Sequence, residues 1–188
     1  MHRRPLLNLL GRYLERHEEE RACVTKILDL VAAHPNCFER SCLPGHITAS
    51  AWVVSSDHHQ FLLTHHRKLG RWLQLGGHAD GDSDVLAVAL REAREESGME
   101  RLAAISPDPA CPILDVDVHR IPAFGNEPVH DHHDVRFLLV AAAEQPLQIS
   151  DESHDLRWFE HAAFERVVSE PSLRRLGRKA REWLARRS

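Results

Sequence analysis

The sequence predicts an α/β protein with a helical region in front of it. Residues 1–33 repeat apolar side chains at helical spacing, whereas residues 47–55 are β-branched and residues 113–121 alternate between apolar and polar side chains. A second helical repeat, at residues 84–97, directly follows a glycine-containing loop. Helices and strands that follow one another in this order favour an α/β fold.

The N-terminal helical region has two amphipathic stripes. Their members are Leu6, Leu7, Leu10 and Leu14 in the first stripe and Val24, Leu28 and Val31 in the second, with Ile27 beside it. The region ends at His34, because the proline that follows disfavours helical geometry in the residue before it. We expect residues 1–43 to form an extension that packs on a main domain, residues 44–188. Pairing of these helices in a homodimer is the alternative.

The bulk composition limits the classes of function. The 188 residues suit one domain with an extension, and a net charge of −4 argues against a general nucleic-acid binder, which needs a basic surface. The sequence has neither a signal-peptide pattern nor an 18-residue apolar run, so we expect a cytoplasmic protein that does not bind membranes. The four cysteines form no disulfide-like framework, which fits a reducing compartment. The 15 histidines are an unusual number.

Residues 47–55 and 60–66 predict two strands of a hairpin, with a polar turn between them. The chain then reaches Gly76 and Gly77, whose missing side chains leave room for a ligand. Asp82, Ser83 or Asp84 is expected to cap the helix that follows, and Gly98 is expected to end it. After Gly98 we expect a loop, rich in proline at Pro107, Pro109 and Pro112, that runs to the strand at 113–121.

The helix at 84–97 is expected to have two faces. Leu86, Leu90 and Ala93 lie at i, i+4 and i+7 and predict its apolar stripe. Glu92, Glu95 and Glu96 lie at i, i+3 and i+4, so their carboxylates share a separate patch.

Carboxylates about 5–6 Å apart repel one another. Either water solvates them, with Arg91 and Arg94 beside them, or a hard dication such as Mg²⁺ or Mn²⁺ binds them through oxygen. The glycine loop upstream favours the dication.

The stretch from Gly77 to Met99 resembles the Nudix box, G-x5-E-x7-R-E-U-x-E-E-x-G-U, where U is aliphatic. The first glycine is Gly77, and the later positions are matched by Arg91, Glu92, Ala93, Glu95, Glu96, Gly98 and Met99. Ser83 replaces the first glutamate of the box. In the family that glutamate mainly supports the loop against the box arginine. We therefore expect its replacement to affect the rigidity of the loop more than metal binding. Asp82 or Asp84 is a candidate substitute.

The resemblance implies a Nudix-type α/β/α sandwich with a mixed β-sheet, covering roughly residues 46–165. It also implies Mg²⁺- or Mn²⁺-dependent hydrolysis of the diphosphate bond of a nucleoside diphosphate linked to a group X. Glu92, Glu95 and Glu96 would be the metal ligands and catalytic acids, with a backbone carbonyl at Gly77 or Gly76. Arg91 would orient the carboxylates, and the general base would be Glu95 or an acid from a later loop.

Two other activities occur on this fold. A Nudix module that senses a ligand without catalysis usually loses box carboxylates, whereas the three helix carboxylates are kept here. An isopentenyl diphosphate isomerase needs further catalytic groups that the sequence does not reveal. The identity of a diphosphate substrate depends on loops outside the box.

Several residues near the box are candidate contacts for a small diphosphate substrate. Arg67, Lys68 and Arg71 precede the glycine pair and would meet a diphosphate or remain solvated. His78 and Asp80 are expected at the lip of the pocket. Some family members recruit a late acid as a metal ligand or base, and the candidates here are Asp151 and Glu152.

The sequence His130-Asp131-His132-His133-Asp134 lies directly before the apolar strand predicted at 135–143. On a strand, His130 and His132 would share one face, and Asp131 and His133 the other. These residues could contact phosphate, transfer protons, bind a metal or form an exposed polar loop. We take His130 and His132 as candidate substrate contacts.

Two further segments lie at the margins of the resemblance. His34, Cys37, Cys42 and His46 have the chemistry of zinc ligands, but their H-x2-C-x4-C-x3-H spacing matches no standard finger, so we leave them out of the site. Residues 161–187 predict one or two helices with Leu173, Leu176 and Leu184 inward. The arginines of this tail are expected to form a solvated face.

Overall fold

The computed structural model describes residues 2–106, 108–123, 125 and 128–186. The helices are α1 (Arg4–Arg16), α2 (Arg21–Ala33), α3 (Val85–Ser97), α4 (Phe164–Val167) and α5 (Pro171–Ala185), with 3-10 turns at Glu18–Glu20 and His161–Ala163. The strands are β1 (Gly45–Val54), β2 (Gln60–His66), β3 (Arg71–Leu73), β4 (Leu75–His78), β5 (Leu102–Ala104), β6 (Ile113–Ile121), β7 (His130–Ala141) and β8 (Ser153–Glu160).

The eight strands form one mixed sheet. The main order is β3-β2-β1-β7-β5, while β4 pairs with β1, β6 with β7 and β8 with β2. Strands β1 and β7 run parallel over ten paired positions, and the other pairs are antiparallel. Residues 48–51 of β1 pair with β4, and its last residues, Val53 and Val54, pair with β2, so β4 lies beside the middle of β1.

Helices cover both faces of the sheet, which confirms the predicted α/β/α sandwich. One apolar cluster joins α1, α2 and α3 to β1 and β7, and it includes Leu10, Ile27 and Ala93 at 0% exposure. The second cluster joins α5 to the opposite face around Trp52 and Phe164. The apolar stripes of the two N-terminal helices therefore pack within this chain, although Leu7, Leu14 and Leu28 are only partly buried.

A buried network of charges connects the sheet to α5. Arg136 on β7 donates to Asp115, Asp117 and Asp134, at distances of 2.8 to 3.3 Å. Arg175 on α5 also donates to Asp115, at 2.9 and 3.0 Å. The expectation that the arginines of the C-terminal tail face water is therefore wrong for Arg175, because the aspartates of β6 draw its guanidinium inward.

The network continues to the N-terminal helices. Lys179 on α5 donates to Asp115 at 2.8 Å and to the hydroxyl of Tyr13 at 2.7 Å, and it also pairs with Glu20. The Tyr13 hydroxyl in turn donates to Glu20 at 2.6 Å. These contacts fasten the extension to the sheet and to α5.

The predicted strands at 60–66 and 113–121 are confirmed, and the two N-terminal helices lie within the predicted region. Two elements differ. Residues 102–104, expected within a loop, form β5, and β7 begins at His130 rather than near residue 135. Predictions for Pro107 in that loop and for Arg187 in the tail fall on residues outside the described part of the chain. No helix in the described ranges is long and apolar enough to cross a membrane.

Candidate active site

The glycine pair and the helix that carries the acids are held next to each other by β4 and α3. Gly76 and Gly77 pair with Ser50 and Ala49 of β1. Asp84 caps α3 by accepting a hydrogen bond from the Ala87 amide at 3.1 Å. Both ends of α3 agree with the predicted caps, since Gly98 adopts φ 70° at its C-terminus.

The carboxylate of Glu92 lies against Gly77. A Cβ atom added at residue 77 would be 2.2 Å from Oε2 of Glu92, which is closer than any real contact. Glu96 is half-buried in the next turn, and its Oε2 atom is buried without a hydrogen-bond partner. Glu95 differs, because its side chain is 63% exposed.

Burial and mutual repulsion change the acidity of the two inner carboxyl groups. Burial raises the pKa of Glu92, although its hydrogen bond to Arg91 opposes the shift. Burial and the charge of Glu92 raise the pKa of Glu96 to about 8, against a hydrogen bond from the backbone of Gly76. The charge of Glu152 contributes to the same shift, so the late loop lies within electrostatic range of Glu96. The carboxyl groups of Glu92 and Glu96 therefore lie close enough for the charge of one to disfavour ionisation of the other.

Arg91 connects the glycine strand to the helix. Its guanidinium donates to the carbonyl oxygen of His78 and to Oε1 of Glu92, both at 2.8 Å. The distance to Oε1 of Glu95 is 4.0 Å. Arg91 thus bonds both to Glu92 on α3 and to the end of β4.

The buried stripe of α3 differs from the predicted one. Val85, Val88, Ala89 and Ala93 are buried, whereas Leu86 and Leu90 are only partly buried. Small side chains face the sheet, which lets α3 approach β1 and β4 closely. The stripe therefore lies next to the carboxylate patch.

Residues of the N-terminal extension form hydrogen bonds with the loop between β4 and α3. Arg40 makes two hydrogen bonds to Asp80, at 2.6 and 2.8 Å, and the Gly81 amide donates to the carbonyl of Phe38 at 3.0 Å. Asp82 accepts from the Asp84 amide at 2.9 Å, within the loop itself. Arg91 instead donates to Glu92 and to the carbonyl oxygen of His78. These bonds support the loop in a chain that has serine at position 83.

The other predicted substrate contacts lie in different surroundings. Arg67 donates to the carbonyl of Ser153 at 3.2 Å, which places it beside the late loop that contains Glu152. Arg71 is paired with Glu170. Asp80 and Glu152 are exposed.

Histidine rings form a cluster at the end of β4. The rings of His78, His130 and His132 were expected near the site, and the structure adds His46. His46 pairs directly with His132 in the parallel β1–β7 register, which brings their side chains to the same face. In the sequence, His46-Thr48-Ser50 and His130-His132-Asp134 both place polar residues at every second position. This likeness indicates a shared polar site only once β1 and β7 are known to pair.

The described residues contain two groups of three side chains that could hold a metal ion with ligand atoms within 4.8 Å of one another. These groups are His46, His130 and His132, and His17, Glu19 and Glu20. The set with Cys37 and Cys42, left out of the predicted site, is not among them. Nor do the oxygens of Glu92, Glu95 and Glu96 come this close as a group of three.

A family model described as the NUDIX domain matches residues 44–184. The chain belongs to the Nudix family. The match covers the carboxylates of α3, the glycine pair and the whole sheet, so the Nudix box and the Nudix fold occur together in this chain.

Solved structures show the same fold. An Ap4A hydrolase from C. elegans, solved as a binary complex, has 20% identity and a TM-score of 0.59, covering 74% of this chain and 97% of its own. A NUDIX family hydrolase from Clostridium perfringens has 20% identity and a TM-score of 0.57, with coverages of 71% and 95%. A MutT protein from Methanosarcina mazei Go1 has 19% identity and a TM-score of 0.52, with coverages of 72% and 93%. No curated protein matched the sequence.

Proposed function

We propose that this Nudix protein is a hydrolase, dependent on Mg²⁺ or Mn²⁺, that cleaves the diphosphate bond of a nucleoside diphosphate linked to a group X. The observation that carries the proposal is the buried, unpartnered Oε2 atom of Glu96, next to Glu92 and the glycine pair. A buried carboxylate oxygen without a donor is costly, and a bound cation would remove that cost.

The donor set suits a hard dication. Carboxylate oxygens of Glu92 and Glu96 would hold it, with Glu95 and the backbone carbonyl of Gly77 as further ligands. Mg²⁺ usually binds through one or two carboxylates and keeps several waters and substrate phosphates, so the three acids need not converge on one point. When bound, the dication neutralises charge on the phosphate oxygens and makes a water molecule more acidic.

The chain's own residues would orient this chemistry. Arg91 would hold Glu92 in place, because one nitrogen atom of its guanidinium donates both to Glu92 and to the carbonyl oxygen of His78. Two acids can accept a proton from the attacking water, namely the exposed Glu95 and Glu152 of the late loop. Both have access to solvent, and Glu152 is within electrostatic range of Glu96.

Substrate contacts are proposed around the rim of the same site. The candidates are Arg67 beside the late loop, Arg71 on β3, His78 at the end of β4 and Asp80 in the loop that follows. The similar structures include a protein named as an Ap4A hydrolase. That name, together with the box, supports a nucleotide-type substrate for this chain.

The proposal also covers the organisation of the chain. Residues 1–43 would act as an extension that steadies the box loop of the domain at 44–188 through Arg40 and Phe38. A cytoplasmic location fits the four cysteines, all of which are free.

The test is turnover of a substrate panel. Nucleoside diphosphate sugars, dinucleoside polyphosphates, oxidised nucleotides and coenzyme A would be incubated with Mg²⁺ or Mn²⁺, and the products separated. We expect cleavage of at least one compound at its diphosphate bond and a loss of at least about 100-fold in kcat for Glu96→Gln. Glu100→Gln, an exposed acid beyond the end of α3, is the matched control and should keep wild-type turnover. Tight binding of a nucleotide without turnover would instead indicate a sensing module.

A further inference from the structure

Three histidines from two parallel strands converge next to the box. His46 on β1 and His130 and His132 on β7 have ring centres 4.8, 5.0 and 5.2 Å apart. One nitrogen of each ring lies within 4.8 Å of the others. In a tetrahedral zinc site the Zn–N distance of about 2.0–2.1 Å puts the ligand nitrogens about 3.4 Å apart. Small rotations of the three rings would therefore reach this geometry.

Three ring nitrogens of the cluster are buried without a hydrogen-bond partner. His46 is 2% exposed, and neither of its nitrogens has a hydrogen-bond partner. Nε2 of His132 is also buried without a partner. A neutral imidazole has one donor and one acceptor, so His46 alone leaves two buried polar groups unsatisfied. A metal ion would satisfy the acceptor that faces the cluster.

His130 is oriented for ligation. Its Nδ1 lies 2.9 Å from the carbonyl oxygen of Pro128, and a carbonyl only accepts, so Nδ1 carries the proton. Nε2 then presents its lone pair. A backbone carbonyl that fixes the tautomer in this way is the usual outer partner of a histidine bound to a metal.

The chemistry of the three side chains selects the class of metal. Neutral imidazole suits zinc and other first-row transition metals, whereas Mg²⁺ prefers oxygen.

We propose that His46, His130 and His132 bind one first-row transition-metal dication, with Zn²⁺ as its principal occupant, at a site separate from the box carboxylates. The ring of His78 borders the cluster, with its centroid 5.1 Å from that of His46 and 4.9 Å from that of His132. The carbonyl of His78 accepts from Arg91. The bound metal thus steadies the end of β4, from which Arg91 positions Glu92.

The experiment measures zinc in the full-length protein after any polyhistidine tag has been cleaved and removed. Protein stripped with a chelator is titrated with Zn²⁺ in the presence of excess Mg²⁺, and stoichiometry and affinity are measured by competition with a chromophoric chelator. We expect one Zn²⁺ per chain. His46→Gln and His132→Gln should weaken binding by more than the roughly 10–100-fold that loss of an outer partner causes.

Two matched variants locate the metal. His154→Gln, an exposed histidine outside the cluster, and Glu96→Gln should both keep the wild-type affinity for Zn²⁺. X-ray absorption of the wild-type zinc form requires no variant and should show at least three imidazole nitrogens. The proposal is overturned if the wild-type chain retains no Zn²⁺, if the metal shell contains only oxygen, or if Glu96→Gln rather than His46→Gln abolishes binding. All of these outcomes are measured as zinc binding, so they do not depend on whether the protein hydrolyses a diphosphate.

Discussion

Gly77 and Glu92 are in direct contact, with the carboxylate of Glu92 occupying the space where a side chain at residue 77 would be. The glycine thus lets the acid approach the backbone of β4, and Arg91 holds it there with a 2.8 Å hydrogen bond. Any side chain at position 77 must displace the carboxylate, because the alternative is a contact of 2.2 Å.

Gly77→Ala should therefore damage the site more than the fold. We expect kcat to fall by about 100-fold, since a displacement of about 1 Å in a catalytic group can have that effect. Gly11→Ala is the control, because a Cβ there meets nothing within 4 Å. In the middle of α1 it should stabilise the protein by about 0.5–1 kcal/mol and leave turnover unchanged. Steady-state kinetics and thermal unfolding are measured for both variants. Wild-type kcat in Gly77→Ala would contradict the prediction that the reaction needs the carboxylate of Glu92 at this position.

The link between Arg40 and Asp80 leads to a different kind of prediction. Both side chains are largely exposed, at 58% and 45%, so removing either should change the free energy of unfolding by less than about 1 kcal/mol. Activity should respond more strongly, because the pair fastens the loop that follows the glycines. We expect kcat/KM to fall by about 10-fold in Arg40→Ala.

A double-mutant cycle distinguishes loop support from direct substrate binding. If Arg40 acts only through Asp80, the variant with both residues replaced by alanine should be no slower than Asp80→Ala alone. Arg21→Ala removes a comparable exposed pair with Glu18 and should leave kcat/KM unchanged. Additive losses in the cycle would mean that the two side chains act separately.

The elements predicted well are those whose signals are local. The cap at Asp84, the stop at Gly98 and the spacing of Glu92 and Glu96 all lie within one short stretch of chain, so the sequence is sufficient to predict them. The exposure of Glu95 could not be predicted, because it depends on how α3 rotates against the sheet. The small residues Ala89 and Ala93 face β1 and set that rotation.

Features that depend on distant pairing were missed. The polar run that begins at His130 looks like a loop in the sequence, yet ten paired positions with β1 make it a strand. The same pairing brings His46 beside His132, although 86 positions separate them in the chain. Arg175 was assigned to a solvated face because helical periodicity does not reveal that Asp115 lies underneath. In each case the missing information was which strands are neighbours.

Arg136 is the centre of the buried charge network and should be among the residues on which stability depends most. Its side chain is 3% exposed, and the three aspartates around it would lose their shared cation in Arg136→Met. Breaking a buried ion pair on one side costs about 3–5 kcal/mol, because the remaining charge is left uncompensated. Arg178→Met removes an exposed pair with Glu182 and should cost less than about 1 kcal/mol. Urea unfolding of both variants measures the difference, and equal losses would contradict the network.

Asp117 should make the free energy of unfolding depend on pH in the acid range. Burial alone would raise the pKa of its carboxyl group, but the hydrogen bond with His119 and the charges of Arg136 and Arg175 outweigh burial and lower it. A lowered folded-state pKa means that the ionised form is favoured in the native protein. Its stabilisation is complete above the ordinary value of 3.8 and disappears as the pH falls through the lower folded-state value.

Asp117→Asn should therefore lower the free energy of unfolding by about 2 kcal/mol at pH 7, as expected for hydrogen bonds to a charged group. The difference from wild type should stay constant between about pH 8 and pH 5 and shrink below about pH 4, where the unfolded wild type takes up the proton. Asp29→Asn, an exposed acid on α2, should match the wild type throughout this range. Urea unfolding curves at a series of pH values provide the measurement. The prediction is contradicted if the difference in the free energy of unfolding between Asp117→Asn and wild type stays the same into the acid range. The charge of Asp117 would then contribute nothing, and only the shape of its side chain would matter.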